Sequence, residues 1–333
     1  MSVRNGATYV REAVESILNQ TMRDFEFIIV DDGSTDTTRD IIREYMSRDG
    51  RIVLAEKPFT GLADSLNTGL RCSRAPFIAR MDADDISMPD RLGVQLSWLS
   101  RHADVGVLGT GCRIINAKGE FTGRYVSASG DRRSIIRCIM RPGNSVPIIH
   151  PSVMMQRDVV LRAGGYSERM LVCEDTDLWL RVSAFSELHV IPDVLLLLRK
   201  HPGCVSIVRR PEQLLSQILA GACYQARGQG LLDPSQASDS EWEEFRRRAH
   251  AMLERGGVYA ADEARIRMAS GAAGCCGVRR YARLVSLLAA HPSLLVSGLY
   301  KCRWRRSLGQ VTRLAEARAA KLGSPVDVCS DAM

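Results

Sequence analysis

No uninterrupted apolar run in this chain approaches the roughly 18 residues that a membrane-spanning helix needs. The longest candidates, 194–198 and 294–297, are of core size. The first 15 residues carry Arg4, Arg11, Glu12 and Glu15 without an apolar stretch of secretory type, so the expected location is the cytoplasm. None of the ten cysteines stands at Cys-x-x-Cys spacing, and Cys275-Cys276 has no second pair and no histidine cluster nearby. That argues against thiolate metal centres and leaves the cysteines as small, mostly buried apolar residues of a reducing compartment. Neither G-x-G-x-x-G nor G-x-x-x-x-G-K-[ST] occurs, which counts against glycine-cradled dinucleotide and P-loop sites. Internal repeats and low-complexity tracts are missing too. Finally, 264–314 contains no Asp or Glu, although the whole chain carries 38 of them against 45 Lys and Arg, a net charge of +7. The basic residues left alone there, Arg279, Arg280, Arg303, Arg305 and Arg306 among them, suit an anionic membrane surface or a phosphate-bearing acceptor. A solvated helical face is the plainer alternative. Nucleic acid is disfavoured, since only Tyr281, Tyr300 and Trp304 interleave the charges and no reading motif is present.

With 333 residues, 45% apolar and 25% charged, the chain can build a real core, either as one large α/β domain with an appendage or as two domains. Helical spacing runs from Tyr9 to Leu18, followed by a β-branched and aromatic strand at 25–30 that leads into Asp31-Asp32-Gly33-Ser34. Ser34 or Thr35 is placed to cap the next helix, 39–46. A strand at 51–55, the loop 57–61 and a helix at 62–72 come next, then the apolar 76–79. Strand and helix alternate, as in a doubly wound α/β unit. Beyond it the pattern predicts a helix at 91–101, a strand at 105–110, a weakly patterned excursion over 111–144, strands at 148–155 and 190–198, and a helix opening at Glu174. After Pro211 the sequence reads as helical and basic.

Chemistry is concentrated in three acidic clusters. Arg80-Met81-Asp82-Ala83-Asp84-Asp85 follows an apolar run and precedes Pro89, which suits a first helical turn. Three carboxylates in four residues repel one another unless a cation sits among them, and carboxylate oxygens suit Mg²⁺ or Mn²⁺ shared with substrate phosphates. Asp31-Asp32 follows a second apolar strand, and in a parallel sheet both clusters emerge at the edge where α/β folds bind ligands. The first cluster can accept hydrogen bonds from a base or ribose, and the second can hold a metal against a diphosphate. Glu174-Asp175, at a helix start, offers a general base for an incoming hydroxyl; an ordinary acidic helix start is the alternative.

The ordered series of segments resembles the inverting glycosyltransferases of family 2. It runs through Phe27-Ile28-Ile29-Val30-Asp31-Asp32-Gly33-Ser34, Gly61 with Leu66-Asn67-x-Gly69, and Ile78 to Asp85. It continues with Pro89-x-Arg91-Leu92-x-x-Gln95, His150-x-Ser152, Gly164-Gly165-Tyr166, Glu174-Asp175-x-Asp177-Leu178-Trp179 and His201-Pro202-Gly203. The resemblance covers residues 1–207 and implies a GT-A fold, a Rossmann-like mixed sheet flanked by helices, with 212–333 as a helical, basic C-terminal extension. It implies transfer of a sugar from a UDP-, GDP- or dTDP-sugar to a saccharide or lipid-linked acceptor, with inversion, in polysaccharide or glycolipid synthesis. By the resemblance Asp31, Asp32, Gly61, Arg80 and Asp82 bind the nucleotide sugar. Asp84 and His201 hold Mn²⁺ or Mg²⁺, and Asp175 is the catalytic base. The basic extension is expected to touch the inner membrane face, with no nucleic acid partner. One departure stands out: Met1-Ser2-Val3-Arg4-Asn5 matches only the end of the family's first strand, with Ser2 where Pro is common. The expectation is a first strand shortened by roughly five to ten residues, about one strand's length. A catalytically impaired nucleotide-sugar-binding protein is the alternative function.

Overall fold

The computed structural model describes residues 1–126, 129–140, 148–255 and 259; the basic stretch 264–314 and Cys275, Cys276, Cys302 and Cys329 lie outside them. The chain divides into two compact units, Met1–Ala220 and Gly221–Met333. The first unit opens with β1 (Ser2–Val3) and α1 (Val10–Leu18), whose Val10, Ala13, Val14 and Ile17 recur at helical spacing and are all buried. Next come β2 (Phe27–Asp32), α2 (Thr38–Met46), β3 (Ile52–Lys57) and α3 (Leu62–Cys72). Alternation along β2 sends Phe27 and Ile29 into a core with α1 and with Ile41, Ile42 and Tyr45 of α2. Val30 faces the other way, against α3, where a Cβ at Gly69 would lie 3.6 Å from a Val30 methyl. The three strands pair in parallel in the order β1-β2-β3, with Ser2 opposite Val30 and Asp31 opposite Glu56.

The chain continues as β4 (Phe77–Ala79), β5 (Ile86–Ser87), α4 (Arg91–Leu99), β6 (Val105–Ile115), β7 (Phe121–Val126), β8 (Gly130–Asp131) and α5 (Arg132–Ile139). After these come β9 (Met154–Gln156), α6 (Arg157–Arg162), α7 (Glu174–Val182), β10 (Glu187–Arg199), α8 (Val205–Val208), α9 (Arg210–Gly228) and α10 (Asp239–Arg255). The second sheet runs β4-β9-β6-β10-β5, with β7 on β6 and β8 on β10. Only β6 and β10 in it are parallel, so the architecture is α/β with a mixed sheet. A parallel bridge between Ser2 and Asp82 joins the two sheets.

Several boundaries differ from those the sequence predicts. The excursion after 110 is ordered where it is described: β6 runs on to Ile115, turns at Asn116, whose Oδ1 accepts the amides of Lys118 and Glu120 at 2.9 and 3.0 Å, and returns as β7. The strand expected at 148–155 is only Met154–Gln156, because Pro151 has no amide to give a ladder and 150–152 closes a 3₁₀ turn instead. Neither Ser34 nor Thr35 caps α2; Asp36 Oδ1 accepts the Thr38 amide at 3.0 Å, while the Thr35 amide is bonded to Asn5. No helix among the described residues is long and apolar enough to cross a membrane.

Candidate active site

β2 ends in two carboxylates. Asp31 is fully buried; its Oδ2 accepts from Arg39 Nε at 3.0 Å and from the Ser34 amide at 3.3 Å, and its Oδ1 has no partner. Asp32 turns to the β3–α3 loop. Its Oδ1 accepts from Lys57 Nζ at 2.7 Å and the Thr60 amide at 3.0 Å, and its Oδ2 from the Gly61 amide at 3.0 Å. Burial pushes the Asp32 carboxyl up, but Lys57 and the two amides together pull it below the usual carboxylate range. A carboxylate offers about four lone-pair sites, so Oδ2 keeps one for an incoming donor. Gly33 makes the turn possible: its φ is +71°, and a Cβ there would meet the Phe59 backbone nitrogen at 2.8 Å.

The second acidic group stands beyond β4. Because Ser2 lies between Val30 and Asp82 in parallel pairing, the ends of β2 and β4 open on the same side, about two strand spacings or 10 Å apart. Arg80 is buried and reaches Asp82 Oδ1 at 2.6 Å. Asp84 Oδ2 lies 3.1 Å from His201 Nε2, just past β10. Asp85 is buried: its Oδ1 accepts the Arg199 amide at 2.8 Å, and its Oδ2 has no partner. Burial and then the Asp82 charge raise the Asp84 carboxyl, and burial with both neighbours raises Asp85 further.

The loop is held from behind. Fully buried Arg91 donates from Nη2 to the carbonyls of Arg80 at 2.6 Å and Val153 at 3.1 Å, and from Nε to Gln95 Oε1 at 3.0 Å. Gln95 in turn donates to the carbonyls of Leu108 and Ser152. Arg199, also buried, donates to the Asp84 carbonyl at 2.7 Å and pairs with Glu12 Oε2 at 2.5 Å. Lys57 and Arg199 are site-building residues that sequence reasoning missed, and Arg91, though part of the matching series, was given no role there. A usable signal existed for one pair: Arg91 and Gln95 are polar residues at i,i+4 on a helix face otherwise made of Leu92 and Leu99.

α7 brings the third group. Cys173 precedes it in the left-handed region, φ 61°, which presents Glu174 and Asp175 in the first turn. Asp175 Oδ1 accepts the Thr176 amide at 2.6 Å. Burial raises the Asp175 carboxyl, against the pull of the Thr176 amide and Arg80, and Asp82 acts on it as a like charge. Glu174 is buried and pushed up to about 8, first by burial and then by Asp175. Its Oε1 lies 3.7 Å from His150 Nδ1, and His150 Nε2 is 3.0 Å from the Tyr166 hydroxyl. Burial and the Arg80 charge hold His150 well below its ordinary pKa, so it is neutral. Asp177 is occupied elsewhere, in an ion pair with Arg181 at 2.7 Å.

The donor set fits a hard divalent cation. Asp84, His201 and Cys204 offer atoms within 4.8 Å of one another, as do Asp82, Asp84 and Asp85. Burial raises the Cys204 thiol, so it stays protonated and the available donors are carboxylate oxygens and one imidazole. A cation there would relieve the repulsion that raises Asp84 and Asp85, and would give the orphaned Asp85 Oδ2 a counter-charge.

Residues 1–164 match the profile of Glycosyl transferase family 2. The O-antigen biosynthesis glycosyltransferase WbnJ of Escherichia coli is 34% identical over 183 residues, 55% of this chain and 69% of that protein. The chain spans 60% to 69% of the length of three curated relatives it matches. Among solved structures, TarS 1-349 of S. aureus in complex with UDP-GlcNAc aligns with a TM-score of 0.57 at 14% identity, over 99% of this chain and 93% of that one. The mannosyltransferase PcManGT of Pyrobaculum calidifontis, in complex with GDP-Man and Mn2+, aligns with a TM-score of 0.50 at 20% identity, over 97% and 85%. These structures share the GT-A fold with this chain.

Proposed function

This chain belongs to Glycosyl transferase family 2, and from that premise we propose that it moves one sugar from a nucleoside diphosphate donor to an acceptor hydroxyl with inversion at the anomeric carbon. The observation that carries the reading is that three acidic groups come from separate elements to one region: Asp32 at the end of β2 and Asp82 after β4, joined across Ser2, and Glu174-Asp175 at the start of α7, on which the Asp82 charge acts. Asp32 and the Gly61 loop receive the base, and Arg80 and Asp82 meet the ribose and diphosphate. Asp175 takes the proton of the acceptor oxygen as that oxygen bonds to the anomeric carbon, while the bond from that carbon to the diphosphate oxygen breaks. Asp84 and His201 are the residues to hold a divalent cation, Mn²⁺ or Mg²⁺, which when bound supplies positive charge to the leaving diphosphate. Glu174, pushed up to about 8 by burial and Asp175, and His150, held neutral by burial, keep further charge away from Asp175.

The relatives' names support saccharide acceptors of cell-surface polymers, and the basic stretch 264–314 supports docking at an anionic membrane where lipid-linked acceptors reside. The test is donor hydrolysis and transfer with UDP-, GDP- and dTDP-sugars and Mn²⁺ or Mg²⁺, with and without vesicles of anionic lipid. It is run on this chain and on Asp84→Ala. Metal-dependent release of nucleoside diphosphate from one donor, lost in Asp84→Ala, is the expected result. No release together with no nucleotide binding would refute the reading, and indifference to vesicles would remove the membrane part of it.

A further inference from the structure

A sulfur stands beside the acidic loop where a hard cation has no use for it. Mg²⁺ and Mn²⁺ favour carboxylate, carbonyl and water oxygens, whereas thiolate selects softer ions. Cys204 nevertheless brings its thiol into the same space: donor atoms of Asp84, His201 and Cys204 all lie within 4.8 Å of one another. All three residues are partly exposed, so an ion from solvent can reach the set.

One tight turn builds it. β10 ends at Arg199, and Pro202-Gly203 brings the chain back so that Cys204 immediately precedes α8. The Cys204 amide closes the turn on the His201 carbonyl at 3.0 Å, and the His201 amide donates to Cys204 Sγ at 3.3 Å. The thiol in turn points to the Arg199 carbonyl at 3.7 Å. Imidazole and thiol thus come from a His-x-x-Cys pair, a ligand spacing that zinc sites use, and one that a search for Cys-x-x-Cys does not see. Asp84 arrives from the far side, in the loop beyond β4.

The dimensions suit zinc. Bonds of about 2.3 Å to sulfur and about 2.0–2.2 Å to nitrogen and oxygen, set in a tetrahedron, put donor atoms roughly 3.3–3.6 Å apart. Asp84 Oδ2 and His201 Nε2 already stand at 3.1 Å. A pair at the 4.8 Å limit has to close by only about 1 Å. The ring needs one adjustment. His201 Nδ1 accepts the Gly203 amide at 3.2 Å, so binding through Nε2 moves the ring proton to Nδ1 and releases that amide.

We infer that Asp84, His201 and Cys204 form a Zn²⁺ site, with a fourth position left for water, that shares Asp84 and His201 with the Mn²⁺ or Mg²⁺ site and so excludes those ions from it. As the zinc–sulfur bond forms, the thiol proton leaves to solvent; no electron is transferred. Zn²⁺ stands above Mn²⁺ in affinity for nitrogen, oxygen and sulfur donors generally, and Cys204 widens that gap because only the softer ion recruits it.

The test uses the 333-residue chain, Cys204→Ser and Asp84→Ala, with Co²⁺ as the spectroscopic stand-in for Zn²⁺. The expected result is a near-ultraviolet thiolate-to-cobalt absorption in the native chain, abolished by Zn²⁺ and missing from both variants. Zn²⁺ affinity, read against a chromophoric chelator, should fall at least tenfold in Cys204→Ser, since losing even a group that only orients a ligand costs about 10- to 100-fold. Mn²⁺ affinity by electron paramagnetic resonance should stay within about twofold in that variant, because the hard ion does not use the sulfur. One equivalent of Zn²⁺ should displace Mn²⁺ from the native chain. A cobalt spectrum without the thiolate absorption would overturn the inference. So would an absorption that survives Cys204→Ser, which would assign it to another of the ten cysteines, or Mn²⁺ that stays bound beside Zn²⁺. The cobalt absorption needs neither donor nor acceptor, so its outcome is independent of the transfer reaction.

Discussion

Asp175→Asn keeps the shape of the side chain and its acceptor oxygen, so the 2.6 Å bond from the Thr176 amide can persist and α7 should start as before. What disappears is the ability to take a proton. A positioned general base contributes about 10²- to 10⁴-fold, or roughly 3–5 kcal/mol at about 1.4 kcal/mol per decade. The turnover of nucleoside diphosphate release with saturating donor and acceptor should fall by that factor. Nucleotide affinity by calorimetry should stay within about twofold, since the base and diphosphate are assigned to Asp32, Gly61, Arg80 and Asp82. The pH profile gives a second handle. Burial raises the Asp175 carboxyl above its ordinary value, and the base works only when ionised. Native turnover should therefore fall as pH drops through that raised pKa, and the variant's residual rate should lack this acid limb. A rate within tenfold of native, an acid limb that survives, or nucleotide affinity lost in step with turnover would each refute the assignment.

Arg91→Met should destabilise the first unit by about 3 kcal/mol in urea unfolding, because charge-assisted hydrogen bonds worth roughly 1.5–3 kcal/mol each are lost and the carbonyls of Arg80 and Val153 stay buried without them. Burial and Arg80 lower the Arg91 pKa to about 9, which marks a desolvation cost that offsets part of the loss; a variant as stable as native would show that this cost dominates. Glu174→Gln should change the pH dependence of stability. The native carboxyl keeps its proton up to about 8 against an ordinary 4.5, so the folded state binds more protons than the unfolded one across that window and stability falls as pH rises through it. The variant's thermal midpoint should gain on native from pH 5 to 8 and then level off, and parallel profiles would overturn this account of Glu174.

Much of the site is legible in one dimension because its acidic groups sit next to strand and helix ends, where local pattern is strong. The run Phe27–Val30 reads as a strand from its β-branched and aromatic content, and Asp31-Asp32 must follow at its end. Arg80 to Asp85 and Glu174-Asp175 draw attention by like-charge crowding at the ends of apolar or helical segments. The supporting groups are not legible in that way. Arg199 reaches the Asp84 carbonyl and Glu12 across long separations in the chain, and Lys57 meets Asp32 only because β2 and β3 pair in register. The hairpin after 110 was hidden because Gly111 and Arg113 interrupt the apolar pattern, while β6 is held by pairing to β10.

The sequence alone determined the α/β alternation, the family, and which carboxylates stand at which strand and helix ends, since periodicity and adjacent charge are local properties of the chain. Tertiary structure alone decided which of those carboxylates share one opening, that Asp31 is buried while Asp84 meets His201, and that Glu174 keeps its proton. Burial and approach between residues far apart in the chain set these, and neither is written in any short stretch of it.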